Sequence, residues 1–321
     1  MEQLVVCDLV VEFARAGHRV PVVRGVSFTL ERGRRVAVVG ESGSGKSVTA
    51  LAVTRLLPPT ASITSGSISL DGNDLLSLSE RSMEDIRGGR VAMVFQDALT
   101  ALDPLFTIEQ QIQAVLDRHA PRANRHARHD QCLELMRAVG ISDPERRLRA
   151  YPHELSGGMR QRALIATALA GDPEVLIADE PTTALDVTVQ AQIVDLLRRL
   201  SDERGMAVIL ITHDLGVVAD FADRVVVMYA GRIVEDAPAG ELFESPAHPY
   251  SAALLESLPS LDGPRTRRLP SIGGAPPDPA ELPAGCSFAP RCPRATNECG
   301  SEPALVTIGA RRIACHHAGT A

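Results

Sequence analysis

The octapeptide Gly40-Glu41-Ser42-Gly43-Ser44-Gly45-Lys46-Ser47 follows the β-branched run Arg35-Val36-Ala37-Val38-Val39 and opens a helical pattern from Ser47 to Leu57, closed by Pro58-Pro59. It matches G-x-x-x-x-G-K-[ST], and strand, glycine loop and helix stand in the order that pattern requires. Lys46 is the single lysine of a chain holding 33 Lys and Arg together. A loop wrapped around a triphosphate has room for a slim ammonium but not for a planar guanidinium fork. Backbone N–H groups freed by the glycines, with the N-terminus of the following helix, are expected to hold the phosphates. Lys46 is expected to reach the β and γ phosphates, and the Ser47 hydroxyl to ligate Mg2+.

Working outward, further β-branched or apolar runs occur at Val91 to Phe95, Val175 to Ala178, Ala207 to Ile211 and Val225 to Met228, separated by helical patterns such as Val187 to Leu200. Strands alternating with helices imply an α/β fold with a mainly parallel sheet. Ahead of the loop, Leu4 to Phe13 and Val20 to Leu30 read as strands with no helix between them, so an N-terminal antiparallel sheet is expected. Thr107 to Leu169 reads as almost wholly helical, an inserted subdomain spanning about 97–170. Past Glu256 the composition shifts: Pro259, Pro264, Pro270, Pro276, Pro277, Pro279 and Pro283 punctuate a linker, and a small cysteine-bearing extension follows. The expected division is 1–257 and 258–321.

The chain is 45% hydrophobic, ample for a core. Aromatics at 3%, no Trp and a net charge of −7 argue against a nucleic-acid partner. No apolar run approaches the roughly 20 residues of a membrane-spanning helix, and the start Met1-Glu2-Gln3-Leu4 lacks signal-peptide features; a soluble, cytoplasmic protein is expected. Arg118 to Arg149 carries eight arginines, which read as a solvated helical face in preference to an anion-binding patch.

Val175-Leu176-Ile177-Ala178-Asp179-Glu180 is an apolar strand ending in two carboxylates, which a core rejects unless they meet a metal or solvent in a cleft. Asp179 suits the holding of Mg2+, and Glu180 the base that polarises an attacking water.

Leu155-Ser156-Gly157-Gly158-Met159-Arg160-Gln161-Arg162 resembles the signature motif of ATP-binding-cassette ATPases and stands in the expected order between Gln96 and Asp179. The resemblance implies a P-loop ATP-binding cassette in which Ser156, Gly157 and Gly158 face the γ phosphate bound by a second cassette, so that two cassettes close head to tail around two ATPs. It further implies that Gln96 is the Q-loop glutamine, contributing to catalysis and to Mg2+ with Ser47 and Asp179. Ala184-Leu185-Asp186 resembles the D-loop, with Asp186 near nucleotide. His213 resembles the switch histidine, catalytic beside Glu180. The nucleotide set it implies includes Gly40, Glu41, Ser42, Gly43, Ser44, Gly45, Lys46, Ser47 and Val48. Phe13 falls where the family places an aromatic on adenine, with His18 as competitor.

Val94-Phe95-Gln96-Asp97-Ala98-Leu99-Thr100-Ala101-Leu102-Asp103-Pro104, Thr182 to Gln192 and His248-Pro249-Tyr250 resemble the ATPases of dipeptide and oligopeptide importers. That resemblance implies two transmembrane permease subunits and a sister cassette as partners, a heterodimer being expected. An extracytoplasmic solute-binding protein would be engaged only indirectly, and the location would be the cytoplasmic face of the inner membrane, peripherally. Cys286, Cys292, Cys299 and Cys315 resemble the ligands of a [4Fe-4S] cluster in the extension of these importers. Zinc, with His316 or His317 substituting, and unligated thiols remain open. Cys7 and Cys132 lie outside the set, as small core or surface residues. Two rival functions stand beside transport: a DNA-handling ATPase, and an iron-sulfur redox sensor whose ATPase is secondary.

Overall fold

The structure, a computed structural model, describes residues 2–15, 17–119, 124–183, 185–258 and 272–318. Pro259, Pro264, Pro270 and Ala184 lie outside the described residues. The chain divides into two compact units, residues 1–30, 35–76 and 211–321 in the first and 31–34 and 77–210 in the second.

In the first unit an antiparallel sheet runs in the order His18–Glu31, Glu2–Arg15, Ala61–Leu70, Asn73–Asp74. Val26, Phe28 and Leu30 are buried while Ser27 and Thr29 between them are partly exposed, the alternation of a strand with one face on a core. The pairing of Glu2–Arg15 with Ala61–Leu70 sets Leu4 opposite Leu70 and Phe13 opposite Ala61.

A second sheet segment in this unit has the order Val306–Ile308, Arg311–Ile313, Arg232–Pro238, Arg224–Tyr229, Arg35–Val39. Arg35–Val39 pairs in parallel with Arg224–Tyr229, and Val36 to Val39 are all buried, as expected for a parallel strand covered on both faces. The tail completes this segment: Ile313 stands opposite Glu235 and Arg312 opposite Asp236. Phe288, also from the tail, is 1% exposed and joins Val39, Val227, Tyr229 and Tyr250 in one apolar cluster.

The helix after the glycine loop is Lys46–Val53, shorter than the expected Ser47 to Leu57. Arg55 adopts φ +52°, while Arg55 N–H donates to the Ala52 carbonyl and Leu56 N–H to the Leu51 carbonyl. That double bond pattern is a Schellman ending built without glycine.

In the second unit Val91–Val94 pairs in parallel with Val175–Asp179. Helices Ile108–His119, Arg125–Ala138, Pro144–Leu148 and Gly157–Leu169 form the expected helical stretch. Ile108, Ile112 and Leu116 are buried on one stripe of the first of them, the spacing of an amphipathic helix.

Candidate functional site

Gly40 leaves its strand at φ +148°, and a Cβ there would stand 2.1 Å from the Met228 carbonyl oxygen, so no side chain fits. Gly45 precedes the helix Lys46–Val53 with φ +98°, in the region that glycine enters at least cost. The loop between them curls back on itself. Lys46 is 5% exposed, and its Nζ donates to the Gly40 carbonyl at 2.8 Å, the Glu41 carbonyl at 2.9 Å and the Ser44 hydroxyl at 3.3 Å. The first N–H groups of an α-helix have no partner within it, so a glycine loop leading into an eight-residue helix is a site for an anion.

Glu41 ties this loop to two other parts of the same unit. Its N–H donates to the Tyr250 hydroxyl at 2.8 Å. Its carboxylate takes the Arg291 guanidinium in a fork at 2.7 and 2.9 Å. Burial pushes both the Tyr229 and the Tyr250 phenols above their ordinary value, and both hydroxyl oxygens accept, from Arg291 and from the Glu41 N–H. Phe13 is half-buried on Glu2–Arg15, and His213 is exposed directly after the strand Ala207–Thr212.

In the second unit Asp179 ends Val175–Asp179 and is 6% exposed. Glu180 follows at φ +45°, a left-handed conformation that costs a residue with a side chain about 1–3 kcal/mol and clusters at functional sites. Its carboxylate accepts from Gln96 Nε2 at 3.0 Å and from Thr183 Oγ1 at 2.9 Å. Two of the residues expected to serve catalysis are therefore joined directly. Thr183, within the stretch Thr182 to Gln192 but given no role by the sequence, adds a hydroxyl whose part exists only once the turn after Glu180 has formed.

Ser156 caps Gly157–Leu169, its hydroxyl accepting the Met159 N–H at 3.3 Å. Asp186 likewise caps Val187–Arg204 through the Val189 N–H at 3.0 Å, so in this structure its carboxylate is engaged with its own helix. Both helix starts are thereby fixed, and the N-terminus of the thirteen-residue Gly157–Leu169 presents free N–H groups.

Cys286, Cys292, Cys299 and Cys315 fall in one lobe, with Cys286 N–H donating to the Cys299 carbonyl at 2.9 Å and His317 Nε2 4.0 Å from Cys299 Sγ. Burial, and then repulsion from Cys299 and Cys315, holds the Cys286 and Cys292 thiols above their ordinary range. Yet among the described residues no group of three or more His, Cys, Asp or Glu is arranged to hold a metal ion. Cys7 is exposed and Cys132 buried, and burial pushes the Cys132 thiol up to about 12.

Residues 23–183 match the family model described as ABC transporter. The chain belongs to that family. Residues 234–299 of this ABC protein match a second model, the C-terminal region of oligopeptide/dipeptide transporters, which places it in that branch. It is 51% identical over 314 residues to the oligopeptide transport ATP-binding protein OppD of Mycobacterium tuberculosis, covering 97% of this chain and 51% of that protein. The chain thus spans about half the length of its mycobacterial relatives. A putative peptide import ATP-binding protein of Brucella melitensis is 49% identical, covering 97% of this chain and 94% of that one. The cassette is also similar to a dimeric bacterial ABC transporter cassette, at TM-score 0.67 and 27% identity, covering 74% of this chain and 98% of that one. This likeness fixes the P-loop cassette architecture. Among the described residues, no helix is long and apolar enough to cross a membrane.

Proposed function

We propose that this ABC protein hydrolyses ATP as the energy-coupling subunit of a dipeptide or oligopeptide importer. The observation that carries it is the cradle of Gly40 to Ser47, whose single ammonium is already drawn over the loop carbonyls. The loop and the helix Lys46–Val53 bind the triphosphate, with Val48 in the first turn and Phe13 against adenine. Mg2+ fits the hard oxygen donors of Ser47, Gln96 and Asp179 and would offset phosphate charge when bound.

Glu180 accepts the proton of the attacking water as its oxygen bonds to the γ phosphorus and the bond to the bridging oxygen breaks. Gln96 and Thr183 hold the Glu180 carboxylate in place through donated hydrogen bonds. His213 contacts the γ phosphate. Ser156, Gly157 and Gly158 meet the nucleotide of a sister cassette, and Asp186 lies near that junction. Closure of the pair drives two permease subunits at the cytoplasmic face of the membrane, and a solute-binding protein delivers the peptide without touching this chain. The cassette occupies 1–257 with its helical subdomain at about 97–170, and the extension 258–321.

For the extension the finer reading is a [4Fe-4S] cluster on Cys286, Cys292, Cys299 and Cys315. The donor set fits in number and type, with Cys299 and Cys315 near enough to Cys286 and Cys292 to help hold those two thiols above their ordinary range. When bound, the cluster would supply a covalent staple for the tail. The decisive experiment is ATP turnover in the assembled transporter in lipid vesicles, with and without internalised peptide. Peptide uptake that stops with Glu180→Gln supports the reading, and uptake independent of ATP rejects it.

A further inference from the structure

We propose that Arg291, carried by the cysteine-bearing tail, is a positioning residue for the phosphate loop, which neutralises and holds Glu41 so that triphosphate affinity depends on the tail. This rests on the loop Gly40 to Ser47 being the ATP site. A carboxylate at the second position of an anion cradle opposes the anion unless a cation answers it, because like charges a few ångströms apart repel strongly where water is scarce. Arg291 is that cation. Its side chain is 5% exposed and that of Glu41 27%.

All five N–H directions of the guanidinium are used. Nε donates to the Gly273 carbonyl at 2.8 Å. Nη1 donates to Glu41 at 2.7 Å and to the Tyr229 hydroxyl at 3.2 Å. Nη2 donates to Glu41 at 2.9 Å and to the Ile272 carbonyl at 3.4 Å. The guanidinium also lies 5.8 Å from the centre of the Tyr229 ring, within reach of a cation–π attraction. A bidentate fork fixes direction as well as charge, which an ammonium does not.

The arm that presents Arg291 is anchored. Phe288, three residues earlier, packs edge-on to Tyr229 and to Tyr250 with ring centres 5.3 Å apart in each case. Tyr250 in turn accepts the Glu41 N–H, and the Glu41 carbonyl accepts from Lys46 Nζ. Glu41 thereby connects the tail guanidinium to the ammonium that meets the phosphates. Hydrogen-bonding groups whose supports are locked by packing hold a site to the tolerance binding requires.

The test is equilibrium binding of a fluorescent ATP analogue to the full chain. Arg291→Gln is expected to raise the Kd about tenfold, because Glu41 is left charged and unheld beside the phosphates. The double variant Glu41→Gln with Arg291→Gln removes the stranded charge and is expected to bind more tightly than Arg291→Gln alone, recovering part of the roughly tenfold loss. A double variant no better than Arg291→Gln alone, or a single variant that binds as the parent does, overturns the proposal. Should Arg291→Gln not fold, Arg291→Lys keeps the charge but loses the fork; a Kd unchanged in that variant overturns it too. Lys46→Ala, run alongside, separates the two readings: loss of binding there with Arg291→Gln unaffected sinks only the role of Arg291, whereas binding retained in Lys46→Ala sinks the ATP site itself.

Discussion

The Gln96 side-chain amide donates to the Glu180 carboxylate at 3.0 Å, joining two residues 84 positions apart in sequence. Thr183 Oγ1 donates to the same carboxylate oxygen, Oε2, at 2.9 Å. Glu180→Gln keeps the shape and removes the basicity. Turnover is expected to fall by about 10²–10⁴-fold, the range for loss of a general base, with ATP affinity within about threefold of the parent. Phosphate release together with nucleotide binding checks this, and parental turnover would exclude Glu180 as the base.

Lys46→Arg tests the space inside the cradle. Three acceptors lie within 3.3 Å of Nζ, and a guanidinium is too broad and too rigid to follow them. ATP affinity is expected to drop at least about tenfold, measured by titration. An unchanged Kd would show that charge alone, and not shape, selects lysine here.

His248 predicts how stability falls in acid. It is 2% exposed, and burial pushes it down to about 4 from an ordinary 6.5. Its Nδ1 accepts the Tyr250 N–H at 3.0 Å, which requires a neutral ring. Below pH 6.5 the unfolded chain therefore binds a proton that the folded chain refuses. Stability is fully present above that pH and declines between 6.5 and about 4, with a slope approaching about 1.4 kcal/mol per pH unit. Urea midpoints across that range should show the decline, and His248→Gln should flatten it.

The tail thiols predict a metal analysis. Protein purified without oxygen is expected to be brown, with iron and sulfide near equal amounts and both lost together in a Cys292→Ser variant. Stoichiometric zinc in place of iron would reject the cluster.

The strands at Val91–Val94, Val175–Asp179 and Arg224–Tyr229 were legible within about two residues because burial on both faces makes them continuous apolar runs. Arg232–Pro238 was not. It buries Glu235 at 0% and Asp236 at 2% exposure, acids that read as surface in a sequence. Glu235 accepts the Ala247 and His248 N–H groups at 2.9 Å each, and Asp236 is clasped by Arg224 and Arg312. Only the folded chain supplies those partners.

Ala61–Leu70 was missed for the opposite reason, since Ser62, Thr64, Ser65 and Gly66 resemble a loop, while Ile68 and Leu70 alone are buried to mark a strand. The helix end at Val53 hides because Arg55, and not glycine, takes the left-handed turn. Motif positions in the candidate site were legible because their order is local. Thr183 and Arg291 were not, because hydrogen bonds to Glu180 and Glu41 depend on how the chain returns.

The pairing of Arg311–Ile313 with Arg232–Pro238 bears on anyone shortening this protein. Cutting after residue 257 would strip a neighbour from that strand and unroof the tyrosines beneath Phe288. The truncated product would present raw backbone donors and acceptors along one border, an invitation to stick to its own copies. What looks in the primary sequence like a detachable appendix is, in the folded molecule, a selvedge that keeps the weave from fraying.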